Sequence, residues 1–316
     1  MKILVGHTGF VGSNLSAQHK FDGVYHSANI SDAFGTCPDL CIYAGIRSEK
    51  FTADQFPADD LNHILDALEN IKKIAPKKLV LISTVDVIPS QQKQGENIYE
   101  DSQYQTEKLS FYGQNRLLLE KEARKYFPGA LIVRLPALFG GGIKKNFIYD
   151  LIHFIPAMLK KAKFEELCGK APDLKGFYKE NENGFFRLIA DISVNDRKML
   201  KTLFKNLGFS AINFTDSRSK YAFYNLKYLW DHIQILLDHK ITLAHMAAEP
   251  VSAAEIYNAV YGENFTNEIM AQPFDYSFFK TRHCSCLGGR NGYIFAKDQI
   301  ILEVLEFVNG MMKLND

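Results

Sequence analysis

The chain opens on a compact apolar run, Lys2-Ile3-Leu4-Val5, followed by a polar stretch, Ser13 to Lys20, that suits a helix. Similar short runs recur at Gly23–His26, Leu40–Ala44, Lys78–Ser83 and Ala130–Leu135. Each is short and nearly continuous in apolar residues, the pattern of strands buried on both faces. Between them lie amphipathic stretches. In Asp60–Ile74 the residues Leu61, Ile64, Leu65, Leu68 and Ile71 repeat at three and four, and Pro76 closes the helix. Tyr112–Tyr126 reads as a second helix. Strands alternating with helices predict an α/β protein, a doubly wound parallel sheet. The polar segment Pro89–Glu107 reads as a surface loop beside the site.

The second half is less regular. Lys160–Gly184 looks like an inserted or variable segment. Asn195–Leu207 suits a helix, Ile241–Ala247 a strand, and Val251–Val260 and Ile300–Val308 suit helices. The expected division is a dinucleotide-binding domain over 1–145, with 220–250 returning to it, and a smaller substrate lobe mainly over 146–316.

Length and composition narrow the class without deciding it. With 316 residues, 47% hydrophobic and 23% charged, the chain fits a globular protein with a sizeable core. A net charge of +1 gives no electrostatic case for nucleic acid or an anionic membrane. No apolar stretch is long enough to cross a bilayer, and a first strand at Lys2 leaves no room for a signal peptide, so a cytoplasmic location is expected. Five cysteines are an odd count. His283-Cys284-Ser285-Cys286 lacks a second ligand pair at zinc-finger spacing, so no metal is expected and the thiols read as reduced.

The candidate chemistry starts at the first strand's end. Gly6-His7-Thr8-Gly9-Phe10-Val11-Gly12 spaces its glycines G-x-x-G-x-x-G. A buried strand, a glycine turn and a helix start together seat a pyrophosphate, because the backbone can approach and the helix N-terminus offers free N–H groups. His7 is expected to face outward without a role. Thr84, just past the strand Leu79–Ser83, puts a hydroxyl at a strand's carboxyl end, where ligands of open parallel sheets bind. Tyr112 and Arg116, four apart on a helix, share a face, and a cation beside a phenol favours the phenolate.

In this order these features resemble the extended short-chain dehydrogenase/reductase family of nucleotide-sugar epimerases, dehydratases and reductases. The resemblance covers 1–140 well and 221–260 moderately, the latter through Leu243-Ala244-His245-Met246-Ala247-Ala248-Glu249-Pro250-Val251-Ser252. It implies a Rossmann-like fold with a smaller C-terminal substrate lobe and an NAD(P) cofactor. By resemblance, Gly6, Thr8, Gly9, Phe10, Val11 and Gly12 hold the cofactor. The segment Ile42-Tyr43-Ala44-Gly45-Ile46-Arg47 walls it, through Ala44, Gly45 and Arg47. Ser83 and the turn Leu135-Pro136-Ala137-Leu138, through Leu135, Pro136 and Leu138, complete the cofactor side. Ser83-Thr84-Val85-Asp86 places the catalytic hydroxyl at Thr84. Tyr112-Gly113-Gln114-Asn115-Arg116 with Glu120 stands where the family has its Tyr-x-x-x-Lys motif, so the resemblance implies Tyr112 as the proton-moving tyrosine and Arg116 as its cation.

Two departures stand out. Arginine replaces the family's lysine, keeping the charge while making a proton relay through it doubtful. The second strand ends Tyr25-His26-Ser27-Ala28-Asn29, with no acid before Asp32 to take ribose hydroxyls. Ser27, Asn29 or Arg47 then meets the ribose end, and the cofactor leans to NADP over NAD. Asp86, Asn146 and Arg218 are candidate substrate contacts. The expected activity is oxidoreduction at a carbinol or ketone of a nucleotide-linked sugar: reductase, 4-dehydrogenase or epimerase. The alternative is a cofactor-binding regulator or scaffold of the same fold without turnover. The resemblance also implies a homodimer through Asp60–Ile74 and Tyr112–Tyr126.

Overall fold

A computed structural model describes residues 1–89, 95–181 and 184–315. The expected loop Pro89–Glu107 therefore falls partly outside the described residues. The chain divides into two compact units. The first comprises Met1–Ile143, Lys220–Val251 and Phe274–Glu303; the second comprises Lys144–Ser219, Ser252–Pro273 and Val304–Asp316.

The first unit is built on a six-stranded parallel sheet. Its strands are β1 (Lys2–Val5), β2 (Gly23–Tyr25), β3 (Leu40–Tyr43), β4 (Leu79–Thr84), β5 (Leu131–Leu135) and β6 (Leu243–His245). They lie in the order β6-β5-β4-β3-β1-β2, every neighbour parallel. The continuous apolar runs explain this, because helices cover both faces and leave no polar side to alternate with. Four helices matter to the site: α1 (Phe10–Gln18), α2 (Lys50–Gln55), α3 (Pro57–Ile74) and α4 (Phe111–Tyr126). Helix α3 starts three residues before its apolar period because Pro57 suits a first helical position and Asp59 and Asp60 suit the positive end. Its stripe of Ile64, Leu68, Ile71 and Ile74 packs on Ile3, Cys41, Tyr43 and Leu81 of the sheet.

Sequence order reverses at β1, which has β2 on one side and β3 on the other. In open parallel sheets the crevice at such a reversal, beyond the strands' carboxyl ends, is where ligands bind.

The second unit holds a three-stranded antiparallel sheet of Met158–Lys160, Phe185–Leu188 and Tyr178–Glu180. Its core gathers Leu159, Phe164, Leu167, Leu174, Tyr178, Leu200 and Phe204. The stretch Lys160–Gly184, irregular by sequence, thus carries a helix, Lys161–Lys170, and part of this sheet. Among the described residues, no helix is long and apolar enough to cross a membrane.

Candidate active site

The glycine turn is built for close approach. Gly6 sits at φ +91°, and a Cβ there would come within 2.5 Å of the Ala44 carbonyl, so β1 and the turn after β3 touch backbone to backbone. A Cβ on Gly12 would overlap the Gly6 carbonyl oxygen. Gly6 N–H donates to the Tyr25 carbonyl (2.7 Å) and Gly9 N–H to the Gly6 carbonyl (3.0 Å), closing the turn. Helix α1 then begins with no side chain capping it. Its first N–H groups are left for something outside the helix. Thr8 and Gly9 are exposed, and Phe10 and Val11 are partly buried. His7 does not simply face outward: its Nδ1 is buried without a hydrogen-bond partner.

Beyond β2, Asn29 turns inward, its side chain accepting from His26 N–H (2.8 Å). Ser27 is exposed. Asp32 lies in a short 3-10 turn, Ile30–Ala33, past the strand's end. Beyond β3, Ala44 N–H donates to the Val5 carbonyl (2.9 Å), and Gly45 and Arg47 are exposed. Leu135 and Pro136 are buried at the end of β5, with Leu138 partly buried after them.

The chemistry-bearing groups gather at the ends of β3 and β4. Thr84 is the last residue of β4, and its hydroxyl donates to Asp86 Oδ2 (3.2 Å) while accepting from Asp86 N–H (3.1 Å). Asp86 Oδ1 accepts from Lys50 Nζ of α2 (2.6 Å). Gly113 packs its backbone against the Asp86 carbonyl, so the first turn of α4 abuts the Thr84–Asp86 turn. That turn is capped by the Ser110 hydroxyl and pinned by Asp54 of α2, whose Oδ1 accepts from Tyr112 N–H (2.8 Å).

Tyr112 is buried, and Arg116 lays its guanidinium over the phenol ring, 4.3 Å from the centroid. Burial pushes the Tyr112 phenol up; the Arg116 charge pulls it down, and burial wins. The phenol is therefore held protonated at neutral pH.

Arg116 itself is spoken for. It is 4% exposed, and its Nη1 and Nη2 both bond Asp60 of α3 at 3.0 Å, with Nη2 also donating to the Arg47 carbonyl (2.6 Å). Sequence reasoning missed Asp60 as the partner. The signal was present: Asp60 is four residues before Ile64, on the buried stripe of α3, where a lone carboxylate is costly unless paired.

Ser83 faces away from this cluster, its hydroxyl donating to Glu120 Oε1 (2.6 Å). Glu120 forms a buried bidentate pair with Arg134 of β5 (Nη2–Oε2 2.6 Å). Arg134 Nη1 meets His245 Nε2 of β6 (3.2 Å), and His245 Nδ1 donates to the Lys280 carbonyl (2.7 Å). Burial pushes the His245 imidazole well below its ordinary range, so it is neutral, with Nε2 accepting. Ser83 thus belongs to a scaffold network behind the site.

The two remaining candidates lie in the second unit. Asn146, at φ +107°, caps the helix Phe147–His153, its side chain accepting from Ile148 and Tyr149 N–H. Arg218 forks onto Asp216 (3.0 and 2.8 Å) and also reaches Glu268 (2.9 Å) and the Met270 carbonyl (2.7 Å). The Arg218 bond holds the Asp216 carboxyl well below its ordinary range. Among the described residues no group of three His, Cys, Asp or Glu is placed to hold a metal ion.

No protein-family model matches the chain, and no curated protein sequence does. Solved structures do match it over nearly its whole length. A dTDP-4-dehydrorhamnose reductase from Yersinia enterocolitica has a TM-score of 0.63 at 14% identity, covering 98% of this chain and 99% of its own. The chain has this fold. RMD from Pseudomonas aeruginosa, complexed with NADPH, scores 0.64 at 13% identity, with 99% of each chain covered. A UDP-N-acetylglucosamine 4-epimerase from Methanobrevibacter ruminantium M1 scores 0.61 at 11% identity, covering 99% of this chain and 98% of its own. A short-chain dehydrogenase/reductase superfamily protein from Agrobacterium tumefaciens with bound NAD scores 0.58 at 15% identity, covering 99% of this chain and 97% of its own. The likeness establishes the Rossmann-like architecture.

Proposed function

We propose that the chain is an NAD(P)-dependent oxidoreductase acting on a carbinol or ketone of a nucleotide-linked sugar. One observation carries the reading. A glycine turn with an uncapped helix start follows β1, and a hydroxyl–carboxylate pair and a protonated tyrosine meet at the same edge of the sheet. Neighbours of the same fold are reductases and an epimerase of sugar nucleotides.

The seat suits a dinucleotide. Gly6, Gly9 and Gly12 clear the space for a pyrophosphate, and the N–H groups at the start of α1 would bond it. A nicotinamide cofactor supplies or accepts the hydride. Thr84 would hold the sugar oxygen. Tyr112 would donate its proton to a ketone oxygen, or take one from a carbinol in the reverse direction. Asp86, neutralised by Lys50, would orient Thr84. Arg116 would act on Tyr112 through the ring face while anchored to Asp60. For Asn146 or Arg218 to contact substrate, each would have to exchange a cap or an ion pair for the ligand. Reductase, 4-dehydrogenase and epimerase would all use this arrangement.

Turnover should fall by about 10²–10⁴ in Tyr112→Phe while nucleotide binding persists. Full turnover in that variant on the true substrate would sink the mechanism. The reading without turnover, a cofactor-binding regulator or scaffold, rests on the engaged Arg116 guanidinium. It leaves the Thr84–Asp86–Lys50 chain unexplained. Failure to bleach reduced nicotinamide in single-turnover mixing across a nucleotide-sugar panel would favour it.

We further propose a homodimer through α3 and α4, supported by exposed Leu65, Phe111 and Leu118 on those helices. A monomeric mass by light scattering at micromolar concentration would refute it. We place the protein in the cytoplasm on the strength of its five free cysteines.

A further inference from the structure

A strap of chain from Phe274 to Lys280, within the first unit, brings a second phenol to the Thr84–Asp86 turn. Backbone bonds fix the strap at both ends. Lys220 N–H donates to the Phe274 carbonyl (2.7 Å), and Tyr276 N–H donates to the Lys220 carbonyl (3.2 Å). Further along, Ile98 N–H donates to the Phe278 carbonyl (2.7 Å), and Lys280 N–H donates to the Ile98 carbonyl (3.0 Å). Tyr276 sits between these anchors. Its side chain packs on the apolar cluster of Val85, Val87, Ile98, Leu109 and Phe278. The ring of Tyr221 backs it, with centroids 6.3 Å apart at 28°.

Val85 and Val87 flank Asp86, so packing on them sets Tyr276 beside that carboxylate. Burial first, and then the Asp86 charge, push the Tyr276 phenol well above its ordinary range. It is protonated at neutral pH and therefore a donor. Among the described residues nothing hydrogen-bonds its hydroxyl, and that oxygen is not sealed from solvent. The two phenols of the site differ in their surroundings. Tyr112 lies under the Arg116 guanidinium, whereas the charges acting on Tyr276 are Asp86 and the Tyr221 phenol, with no cation among them. Tyr276 thus suits holding a ligand more than moving a proton.

The bonds of Asp86 define what a ligand would meet. Its Oδ2 accepts from the Thr84 hydroxyl (3.2 Å) and its Oδ1 from Lys50 (2.6 Å). When Thr84 turns its hydroxyl to a sugar oxygen, Oδ2 loses its donor while Lys50 keeps Oδ1. A partly buried carboxylate oxygen left without a donor is costly. A hydroxyl on the next sugar carbon supplies one. It donates to Oδ2 and keeps lone pairs to accept from the Tyr276 phenol. A carbon that carries only hydrogen does neither, and leaves both groups unpaired.

We infer that Asp86 and Tyr276 together read a free hydroxyl on the sugar carbon next to the one held by Thr84, so that the protein selects nucleotide-linked sugars that keep this hydroxyl over their deoxy counterparts. This rests on the nucleotide-sugar reading of the site and narrows its substrate class. A site built to bond a hydroxyl rejects the analogue that lacks it, because the site's own polar groups are then left unpaired.

The experiment is calorimetric titration of the full chain with UDP-glucose, dTDP-glucose and GDP-glucose, and with each free nucleoside diphosphate. The conjugate that binds best is then compared with its forms lacking one ring hydroxyl each. In the parent, such a deoxy form should bind about tenfold more weakly or worse. Tyr276→Phe keeps the ring and removes only the oxygen, so its thermal midpoint should match the parent's. It should weaken the glucose conjugate by about tenfold, leave one deoxy form and the free diphosphate unchanged, and so close that gap. If no deoxy form binds more weakly than the glucose conjugate, or every gap survives in Tyr276→Phe, the inference is overturned and the nucleotide-sugar reading stands. If no conjugate binds more tightly than its free diphosphate, the nucleotide-sugar reading itself fails, and this inference with it.

Discussion

The carboxyl ends of β1 and β2 differ in one respect from those of β3 and β4. At the first pair the polar groups are unspent: the start of α1 is uncapped, and His7 Nδ1 has no partner. At the second pair nearly every polar group is satisfied within the protein. Thr84, Asp86 and Lys50 are bonded to one another, and Arg116 is locked through its terminal nitrogens to Asp60 and the Arg47 carbonyl, with its buried Nε alone left without a partner among these groups. Unsatisfied buried polar groups are expensive, so a fold keeps them where a ligand completes them. On the proposed function the first region would be a preformed seat. The second would work by exchange: a substrate would have to take over bonds that the protein now makes to itself.

The comparison breaks most sharply at the glycines. In Gly12→Val the side chain would strike the Gly6 carbonyl, and nucleotide-dependent thermal stabilisation should vanish, an affinity loss of about 100-fold or more. Retained stabilisation would show that the seat lies elsewhere. Asp60→Ala should follow in size. It strands the buried Arg116 guanidinium and should cost about 3–5 kcal/mol in denaturant unfolding. A cost below about 1 kcal/mol would mean that Arg116 is free to serve a ligand instead. Lys50→Met should be smaller, lowering turnover by about tenfold, because Asp86 loses the cation that holds it beside Thr84. Unchanged turnover would place Lys50 outside the chemistry.

The smallest effect lies outside the site. In the second unit, burial raises the Asp150 carboxyl from 3.8 to about 7. The folded chain thus holds a proton that the unfolded chain has released, and stability should fall as pH rises from about 4 to about 7. Asp150→Asn should remove that loss, raising the unfolding midpoint by about 2–4 °C at pH 8 and leaving it unchanged at pH 4. A midpoint equal to the parent's at pH 8 would disprove the assignment.

The strands of the first unit were legible because burial on both faces writes them as unbroken apolar runs. Thr84, Tyr112 and the glycine turn were legible because their spacing is a motif. Helix α2 was not, since Lys50–Gln55 is too short to show a period. The three-stranded sheet of the second unit was hidden for a similar reason: strands such as Tyr178–Glu180 end in charges that read as loop. The largest gap concerned Arg116. Its position in the motif suggested a ligand-facing cation, and only packing shows that Asp60, from a helix 56 residues earlier, claims it. Arg218 follows the same rule with Asp216. A motif fixes where a charge sits along the chain; its partner is decided by which helix faces which.

The network behind the site bears on how the chain assembles. Arg134 on β5 is completed by His245, which arrives 111 residues later. Until then the Glu120–Arg134 pair lies at an unfinished sheet edge, open to water and to other chains. Such distant closures slow folding and expose edges meanwhile. The proposed nucleotide seat near the start of the chain can therefore take shape long before the sheet behind the proposed catalytic groups is closed.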